Sequence, residues 1–270
     1  MDWITLAQSL PLGGKDKVEH DCGPGRPLVI WHREDGWSAY CHRCHDKLFK
    51  PKPLPTLQER LEARQREQAA VAAVERDTRP PQPSVFDVQE WPREARLWLY
   101  KAGLTIPEIA GLGAYFHPPT KRVVLPVIEN GAVTFWQARC VIGDGPKYLS
   151  MPGGRERCLP LYGEGQAVTL TEDILSAYKI STAGHRALSL MGTSLLPVAF
   201  DWIIKNKPEV NIWLDPDGAG QRAASHIRDQ LALVGIPSRR IMSPRDPKLH
   251  SKTEIRNLLT PDPITQERHA

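Results

Sequence analysis

Acidic side chains follow two predicted strands in the second half of the chain. Glu172 comes directly after the apolar run 168–171, and Asp215 and Asp217 follow the run 211–214. The carboxyl ends of parallel strands meet at one edge of a sheet, where open α/β folds bind their ligands. We therefore expect the three carboxylates to lie together. Clustered carboxylates suit Mg²⁺, which proteins usually bind together with phosphate groups.

Two further acids have less certain roles. Asp173 adjoins Glu172 and is a candidate cofactor ligand, but it is equally suited to cap the helix that follows it. Asp246 follows the last predicted strand and is also a candidate, although an Asp-Pro pair is common in turns. Both acids stay candidates, with the helix cap and the turn as open alternatives.

A second group of metal-binding residue types lies near the N-terminus. Cys41 and Cys44 have the Cys-x-x-Cys spacing of half a zinc site, and His20 and Cys22 are the best candidates for the other half. A structural zinc ion takes four thiolate or imidazole ligands in a tetrahedron. The fourth ligand is left open by the sequence, because the imidazoles of His32, His42 and His45 compete with that of His20.

The residues between the two halves favour a small β structure. Runs at 29–32 and 37–40 are rich in aromatic and β-branched residues and flank a turn at 35–36. This pattern predicts a zinc ribbon, which we assign to residues 1–52. A unit of this size needs a metal because its apolar core is too small to hold it together.

Proline clusters then enclose a segment rich in Gln, Glu, Arg and Ala between Thr56 and Asp77. Thr56 and Glu59 have the spacing of a capping box, which favours a helix start. Few large apolar residues follow, so we predict a solvated, semi-rigid linker helix within residues 53–83.

Residues 84–165 are predicted to form a first subdomain of a larger core. Two short helices are expected within residues 93–112, broken at Gly103 and Pro107. The Asn-Gly pair at 130–131 lies between β-rich runs and predicts a hairpin. Its strands are residues 122–128 and 132–139.

From residue 166 to residue 270 strands and helices alternate, which implies a mostly parallel sheet with helices on both faces. The predicted strands are residues 167–171, 187–190, 210–215 and 238–242. The predicted helices are residues 173–182, 195–206 and 218–234.

Composition sets looser bounds on function. The 270 residues carry a net charge of +4 and include five cysteines. This charge permits nucleic-acid binding without indicating it. An odd cysteine count with Cys-x-x-Cys spacing fits a metal site in a reducing compartment better than disulfides. Neither a signal peptide nor an apolar run of about 20 residues is present, so we expect a cytoplasmic protein with no membrane partner.

The motifs at 170–172 and 215–220 resemble those of the Toprim domain, which occurs in DnaG-type primases, topoisomerases, RecR and some nucleases. The ribbon resembles a primase zinc-binding domain, and residues 122–149 resemble the first subdomain of a primase core. The implied fold is an α/β catalytic core with a Toprim domain, preceded by a small β zinc ribbon. The likeness is strongest to bacteriophage primases, including the primase half of phage primase–helicases.

This resemblance implies synthesis of short RNA primers from NTPs on single-stranded DNA. By that likeness Glu172, Asp215 and Asp217 hold two Mg²⁺ or Mn²⁺ ions, which activate the primer 3′-OH and neutralise the triphosphate. Arg139 and Lys147 match basic positions that contact triphosphate or template phosphates. A structural Zn²⁺ supports the ribbon, which helps to select the start site on the template.

Weaker candidates and partners complete these expectations. Lys121 and Arg122 are possible phosphate contacts. Base stacking or hydrogen bonding could involve Trp31, Trp37, Tyr40 and Arg43, unless the two tryptophans pack inside the ribbon. No phosphate loop of a helicase motor is found. We therefore expect a separately encoded replicative helicase and a DNA polymerase as partners.

Three rival functions share some of these motifs. A RecR-like recombination protein also combines zinc with a Toprim domain, but the first core subdomain would have no role in it. A Toprim nuclease would use the same acids to cut DNA. A simple DNA-binding module has no use for carboxylates that repel phosphate, so it is the least favoured.

Overall fold

The computed structural model describes residues 2–53 and 56–260. The chain forms two compact units, residues 1–64 and 65–270. Part of the predicted proline break, residues 54 and 55, lies outside the described residues, as do the last ten residues of the predicted Toprim domain.

The first unit contains an antiparallel sheet of four strands in the order β1-β2-β3-β4. The elements are α1 (Trp3–Ser9), β1 (Lys15–His20), β2 (Gly23–His32), β3 (Gly36–Cys41) and β4 (Lys47–Pro51). The hairpin of β2 and β3 is the predicted one, and it pairs Val29 with Tyr40. The helix and the two outer strands had not been predicted. Among the described residues of this unit, one buried apolar cluster contains Ala7, Val18, Leu28, Ile30, Ala39 and Cys41.

Helix α2 (Leu57–Arg76) follows where the capping box predicted a helix. The Thr56 backbone N–H donates to Glu59 Oε2 at 2.7 Å, and the Glu59 N–H donates to Thr56 Oγ1 at 3.2 Å. These reciprocal bonds satisfy backbone donors that the first helical turn leaves without intrahelical partners.

The second half of α2 belongs to the second unit, and one of its faces packs there instead of being solvated as expected. Val74 is buried, and Val71 packs beside it against a cluster that contains Trp136. Lys121 Nζ lies 2.5 Å from Glu67 Oε2 in the same region. This half is therefore solvated on one face only, because Val71 and Val74 attach its other face to the sheet.

The second unit begins with two short helices and an antiparallel sheet in the order β5-β6-β7-β8. Its elements are α3 (Arg93–Lys101), α4 (Ile106–Gly111), β5 (Tyr115–His117), β6 (Arg122–Glu129), β7 (Ala132–Cys140) and β8 (Tyr148–Ser150). Asn130 and Gly131 join β6 to β7 with positive φ angles of 52° and 79°, as the Asn-Gly pair predicted. Pro107 does not break α4 but lies in its first turn, where proline fits.

A five-stranded sheet in the order β13-β12-β10-β11-β9 forms the rest of this unit. Its strands are β9 (Leu161–Tyr162), β10 (Val168–Thr171), β11 (Arg186–Ser189), β12 (Val210–Ile212) and β13 (Ser238–Arg240). All neighbouring strands are parallel except β9, which runs antiparallel to β11. The helices are α5 (Ile174–Thr182), α6 (Pro197–Asn206), α7 (Gly218–Leu233) and α8 (Lys252–Leu259).

Helices cover both faces of this sheet. One apolar cluster joins β10, β11 and β12 to α6 and α7. Another joins α5 and α8 to Ala187 of β11 and to Trp213. The predicted α/β class with a mostly parallel, doubly covered sheet is therefore confirmed. Both faces must be apolar in such a sheet, which explains why its strands read as continuous hydrophobic runs.

Candidate active site and zinc site

Four metal-ligating side chains converge in the ribbon. His20 ends β1, Cys22 lies in the turn to β2, Cys41 ends β3 and Cys44 follows it. One ligand atom from each lies within 4.8 Å of all the others. All four cysteine and histidine groups could therefore surround a single ion, and the cysteines form no disulfide. The donor set is the one that structural zinc prefers.

Local electrostatics favour the ligating form of one thiol. Burial alone would raise the pKa of Cys41, but hydrogen bonds from the backbone N–H groups of Cys44 and Arg43 lower it to about 6. The Arg43 N–H lies 3.4 Å from Cys41 Sγ. Because zinc binds the thiolate, this loop prepares the sulfur for the metal.

The competing histidines have other contacts. His32 Nδ1 lies 2.6 Å from the Leu10 carbonyl oxygen, and the Tyr40 hydroxyl lies 2.8 Å from His45 Nδ1. The His42 ring meets the Tyr40 ring edge-on, with 5.0 Å between centroids. His20 is thus the imidazole that the fold brings to the three thiols.

The predicted acids lie at the carboxyl edge of the parallel sheet. Glu172 follows β10 directly, and the Asp215 backbone N–H donates to its Oε1 at 3.0 Å. Strand β12 ends at Ile212, whereas the sequence had predicted a strand that continues to residue 215. Asp217 is exposed and begins α7, where its Oδ1 accepts from the Gly220 N–H at 2.8 Å.

Two of these carboxylates are destabilised as anions. Burial raises the pKa of Glu172 to about 7, and the charge of Asp215 adds to this effect. Burial also raises the pKa of Asp215 to about 6, although Lys248 partly opposes the shift. Asp215 Oδ1 is buried without a hydrogen-bond partner among the described residues. An unpaired anionic oxygen beside other acids fits a bound cation, which would offset both the burial and the repulsion.

The acids form an open arrangement and not a closed cage. Within residues 2–53 and 56–260, the ribbon group alone places three or more ligand atoms within 4.8 Å of one another. Asp217 Oδ1 is already used to cap a helix. Mg²⁺ suits such a site, because it keeps several waters and shares its ligands with substrate phosphates.

Asp173 and Asp246 are joined by a lysine. Asp173 caps α5, which was the alternative role left open for it, and its Oδ1 accepts from the Ser176 N–H at 2.9 Å. Its Oδ2 lies 2.8 Å from Lys248 Nζ, which also lies 2.9 Å from Asp246 Oδ2. Their predicted role as cofactor ligands stays a prediction.

Arg139 lies on β7 within electrostatic reach of this edge. Its guanidinium stacks over the rings of Tyr148 and Trp98, 5.1 and 5.8 Å from their centroids. Burial raises the pKa of Tyr148, the charge of Asp173 adds to the shift, and Arg139 opposes it. Lys147 is exposed, with Nζ 5.8 Å from the Tyr148 centroid. Both basic groups are thus held beside an aromatic platform.

Residues 171–248 match the family model described as Toprim-like. This part of the chain is a Toprim-like domain. No curated protein matches the chain.

Among solved structures, the chain is similar to the zinc-binding and RNA polymerase domains of the Aquifex aeolicus primase. The identity is 16%, the match covers 96% of this chain and 82% of that one, and the TM-score is 0.53. The E. coli primase catalytic core is also similar, at 18% identity over 70% of this chain and 74% of that one, with a TM-score of 0.49. At such low identity the first likeness shows the fold, with a ribbon followed by a primase-like core.

Of the two weaker phosphate candidates, Arg122 is enclosed by protein, whereas the role of the half-exposed Lys121 stays a prediction. Arg122 is only 1% exposed, and its Nη1 donates to the Ala138 carbonyl at 3.1 Å. Lys121 pairs with Glu67 of α2. The prediction that the Arg122 side chain contacts an external phosphate is therefore wrong, because protein encloses its guanidinium.

Lys248 and Trp98 had not been identified as site residues. Lys248 follows Asp246 by two residues, but no spacing rule links it to Asp173, an acid 75 residues earlier. Trp98 lies on α3 and reads as an ordinary core residue. Their involvement depends on tertiary contacts.

No helix in the described part of the chain is long and apolar enough to cross a membrane.

Gly220 is needed for the close approach of the two acid-bearing segments. A Cβ there would overlap the Asp215 carbonyl oxygen and lie 2.5 Å from Glu172 Oε1. We expect Gly220→Ala to lower the free energy of unfolding by about 1–3 kcal/mol, the usual effect of overpacking, and to weaken Mn²⁺ binding. Gly218→Ala is the control, because its Cβ would meet only the flexible end of Arg222 at 3.2 Å. Equal melting temperatures and Mn²⁺ affinities for both variants would contradict this.

The raised pKa values predict a pH-dependent stability in Mg²⁺-free buffer. Glu172 and Asp215 hold protons more tightly in the folded chain than in the unfolded chain. Their contribution to stability is therefore present at low pH and is lost as the pH rises through about 6–7. We expect Glu172→Gln to melt increasingly higher than wild type as the pH rises from 5 to 8. A difference independent of pH would show that the Glu172 carboxylate is not destabilised.

Proposed function

We propose that this protein is a DNA primase, which synthesises short RNA primers from NTPs on single-stranded DNA. The observation that carries the proposal is the acidic edge of the Toprim-like domain, where Asp215 presents an unpaired buried oxygen beside Glu172. The Cys/His ribbon ahead of this core and the primase-like fold support it. A simple binding module has no use for the acidic edge, because its carboxylates would repel phosphate.

In this proposal Glu172, Asp215 and Asp217 hold the catalytic Mg²⁺ or Mn²⁺. A bound divalent cation would lower the negative charge of the triphosphate and favour ionisation of the primer 3′-OH. The protein itself holds the acidic side chains in position. The Asp215 N–H orients the Glu172 carboxylate, and the α7 N-terminus orients Asp217.

Arg139 and Lys147 are the groups that we propose for phosphate binding. The Arg139 guanidinium lies over two aromatic rings, those of Trp98 and Tyr148, which restrict its orientation. A preoriented guanidinium can bind phosphate oxygens in a bidentate manner at low entropic cost. Lys147 is exposed and flexible, which suits a point charge that follows the triphosphate or the template backbone.

The ribbon is the proposed template reader, with a structural Zn²⁺ held by His20, Cys22, Cys41 and Cys44. Trp37 packs against the ribbon's apolar core, so it is not proposed as a base contact. Trp31, Tyr40 and Arg43 keep that proposed role, because aromatic rings can stack on bases and a guanidinium can donate hydrogen bonds to them.

The proposed setting is DNA replication, as in bacteriophages, within the cytoplasm of the host. Thiolate ligands call for a reducing compartment, which the cytoplasm provides. Single-stranded DNA and NTPs are the substrates and an RNA primer is the product. A replicative helicase that exposes the template and a DNA polymerase that extends the primer are the proposed partners.

The test is a synthesis assay with the full chain, single-stranded DNA of mixed sequence, Mg²⁺ and NTPs labelled at the α-phosphate. We expect short labelled products that are destroyed by alkali and by ribonuclease, and that require template. End-labelled template in a parallel reaction reports cleavage. Cut DNA without RNA products would replace the primase with a Toprim nuclease. Neither product, with DNA retained in a binding assay, would favour a RecR-like binding protein.

A further inference from the structure

Lys248 is placed as a fixed cation inside the acidic edge. Its ammonium lies 2.8 Å from Asp173 Oδ2 and 2.9 Å from Asp246 Oδ2. The Lys248 side chain is 20% exposed, and the two carboxylates are 19% and 27% exposed. Charge pairs that are this enclosed are screened far less by salt than surface pairs.

The backbone holds this lysine in position. Lys248 lies in a single 3₁₀ turn, Pro247–Leu249, for which Asp246 is the N-cap. Proline restricts the chain directly between the acid and the lysine. On the other side, Asp173 is fixed by Ser176, whose N–H and hydroxyl donate to its two oxygens at 2.9 and 3.0 Å.

The oxygens of Asp173 and Asp246 that face Lys248 are therefore occupied, while Asp215 keeps one oxygen free. Asp173 accepts three hydrogen bonds, from the Ser176 N–H, the Ser176 hydroxyl and Lys248. Asp215 Oδ1 has no partner among the described residues. The acidic edge is thus divided into a part that already holds a cation and a part that lacks one.

We propose that Lys248 is a positioning residue that acts as a built-in cation and leaves room for a single tightly bound divalent ion, at Glu172, Asp215 and Asp217. Its ammonium takes the place that a second ion would need between Asp173 and Asp246. The catalytic meaning of this arrangement rests on the proposed primase function. The number of tightly bound ions does not, because it can be counted whether or not the chain makes RNA.

The proposal predicts what happens when the ammonium is removed. Methionine at position 248 keeps the length of the side chain but leaves Asp173 and Asp246 without a counter-charge. Two partly buried carboxylates left without a counter-charge repel one another and attract a cation. Lys248→Met should therefore create a second divalent site, whereas Lys248→Arg should not.

The experiment counts Mn²⁺ ions on the zinc-loaded full chain by electron paramagnetic resonance of the unbound ion. We expect one Mn²⁺ per chain for wild type and for Lys248→Arg, and two for Lys248→Met. Lys252→Met is the matched control. Lys252 and Lys248 line one surface cavity, but Lys252 pairs with Glu108. That variant should bind one ion.

Folding of Lys248→Met is followed by thermal unfolding with and without Mn²⁺. We expect a larger Mn²⁺-induced rise in melting temperature than for wild type, since two ions stabilise the folded chain. If the methionine variant does not fold even with Mn²⁺, Lys248→Gln replaces it, because its amide can donate to both carboxylates without a charge.

The outcomes separate this inference from the proposed function. A wild-type count other than one, or an uncharged variant that binds no more Mn²⁺ than wild type, would overturn the role of Lys248 even if primers are made. A gain of one ion in a chain that makes no RNA would support Lys248 and leave the primase proposal wrong.

Discussion

Asp215→Asn is expected to reduce RNA synthesis by about 10³-fold or more, to the background of the assay. Loss of one preorganised charge-stabilising group typically costs about 10²–10³ in rate, and here the cation site is lost as well. The substitution is isosteric, and the hydrogen bond between the Asp215 backbone and Glu172 does not involve the replaced atoms. It removes the negative charge of a carboxylate whose Oδ1 has no partner among the described residues.

The same variant should keep or increase the stability of the Mg²⁺-free chain. Burial and neighbouring acids disfavour the Asp215 anion, so a neutral amide relieves that cost. Three measurements on one preparation test this, namely labelled product, bound Mn²⁺ and melting temperature. Asp201→Asn is the control, because Asp201 is an exposed acid on α6. Asp215→Asn activity within tenfold of wild type would exclude this carboxylate from the chemistry.

Cys41→Ser is expected to release zinc and unfold the ribbon while the core stays folded. Structural zinc contributes about 10–16 kcal/mol of apparent binding free energy in zinc-finger peptides, which far exceeds what a core of six residues can supply. Cys41 is completely buried, so the ribbon loses a core residue as well as a ligand. The ribbon lies in its own compact unit, residues 1–64, which permits this selective loss.

Zinc content and limited proteolysis measure this outcome. We expect no bound zinc and rapid cleavage within residues 1–64, with a resistant fragment that begins near residue 65. Cys140→Ser is the control, because Cys140 lies outside the zinc group and its thiol donates to the Ile142 and Gly143 carbonyl oxygens of its own loop. Full zinc occupancy in Cys41→Ser would show that another residue, such as His42 or His45, completes the site.

The edge of the sheet could be predicted because it depends on local patterns. Strands β10 and β12 are buried on both faces, so they read as continuous apolar runs, and the acids that follow them mark their carboxyl ends. The hairpin of β6 and β7 was equally local, since Asn130 and Gly131 select the turn. The approach of β10 to β12 then brings Glu172 to Asp215.

The outer strands of the ribbon could not be predicted in this way. Lys15–His20 has one buried residue, and Lys47–Pro51 has none, so neither shows the alternation that indicates a strand. Both are edge strands whose backbone bonds to a neighbour decide their conformation. Charged residues on such edges discourage pairing with other chains, which explains why these sequences look unlike strands.

The burial of two charged side chains also could not be predicted from the sequence. Arg122 and Lys248 both read as surface residues, since lysine and arginine are rarely buried. Arg122 is enclosed because it reaches the Ala138 carbonyl on the neighbouring strand, and Lys248 because Asp173 lies across the sheet edge. Such contacts join residues far apart in the chain, so no local pattern announces them.

The most direct test of the central claim is whether this chain starts RNA strands. NTPs labelled at the γ-phosphate are supplied with single-stranded DNA and Mg²⁺, because that label survives only at the first nucleotide of a strand begun without a primer. We predict short, template-dependent RNA products that carry the γ-label and are absent with Asp215→Asn. Products labelled from α-labelled but never from γ-labelled NTPs would mean extension of existing ends, and would contradict a primase.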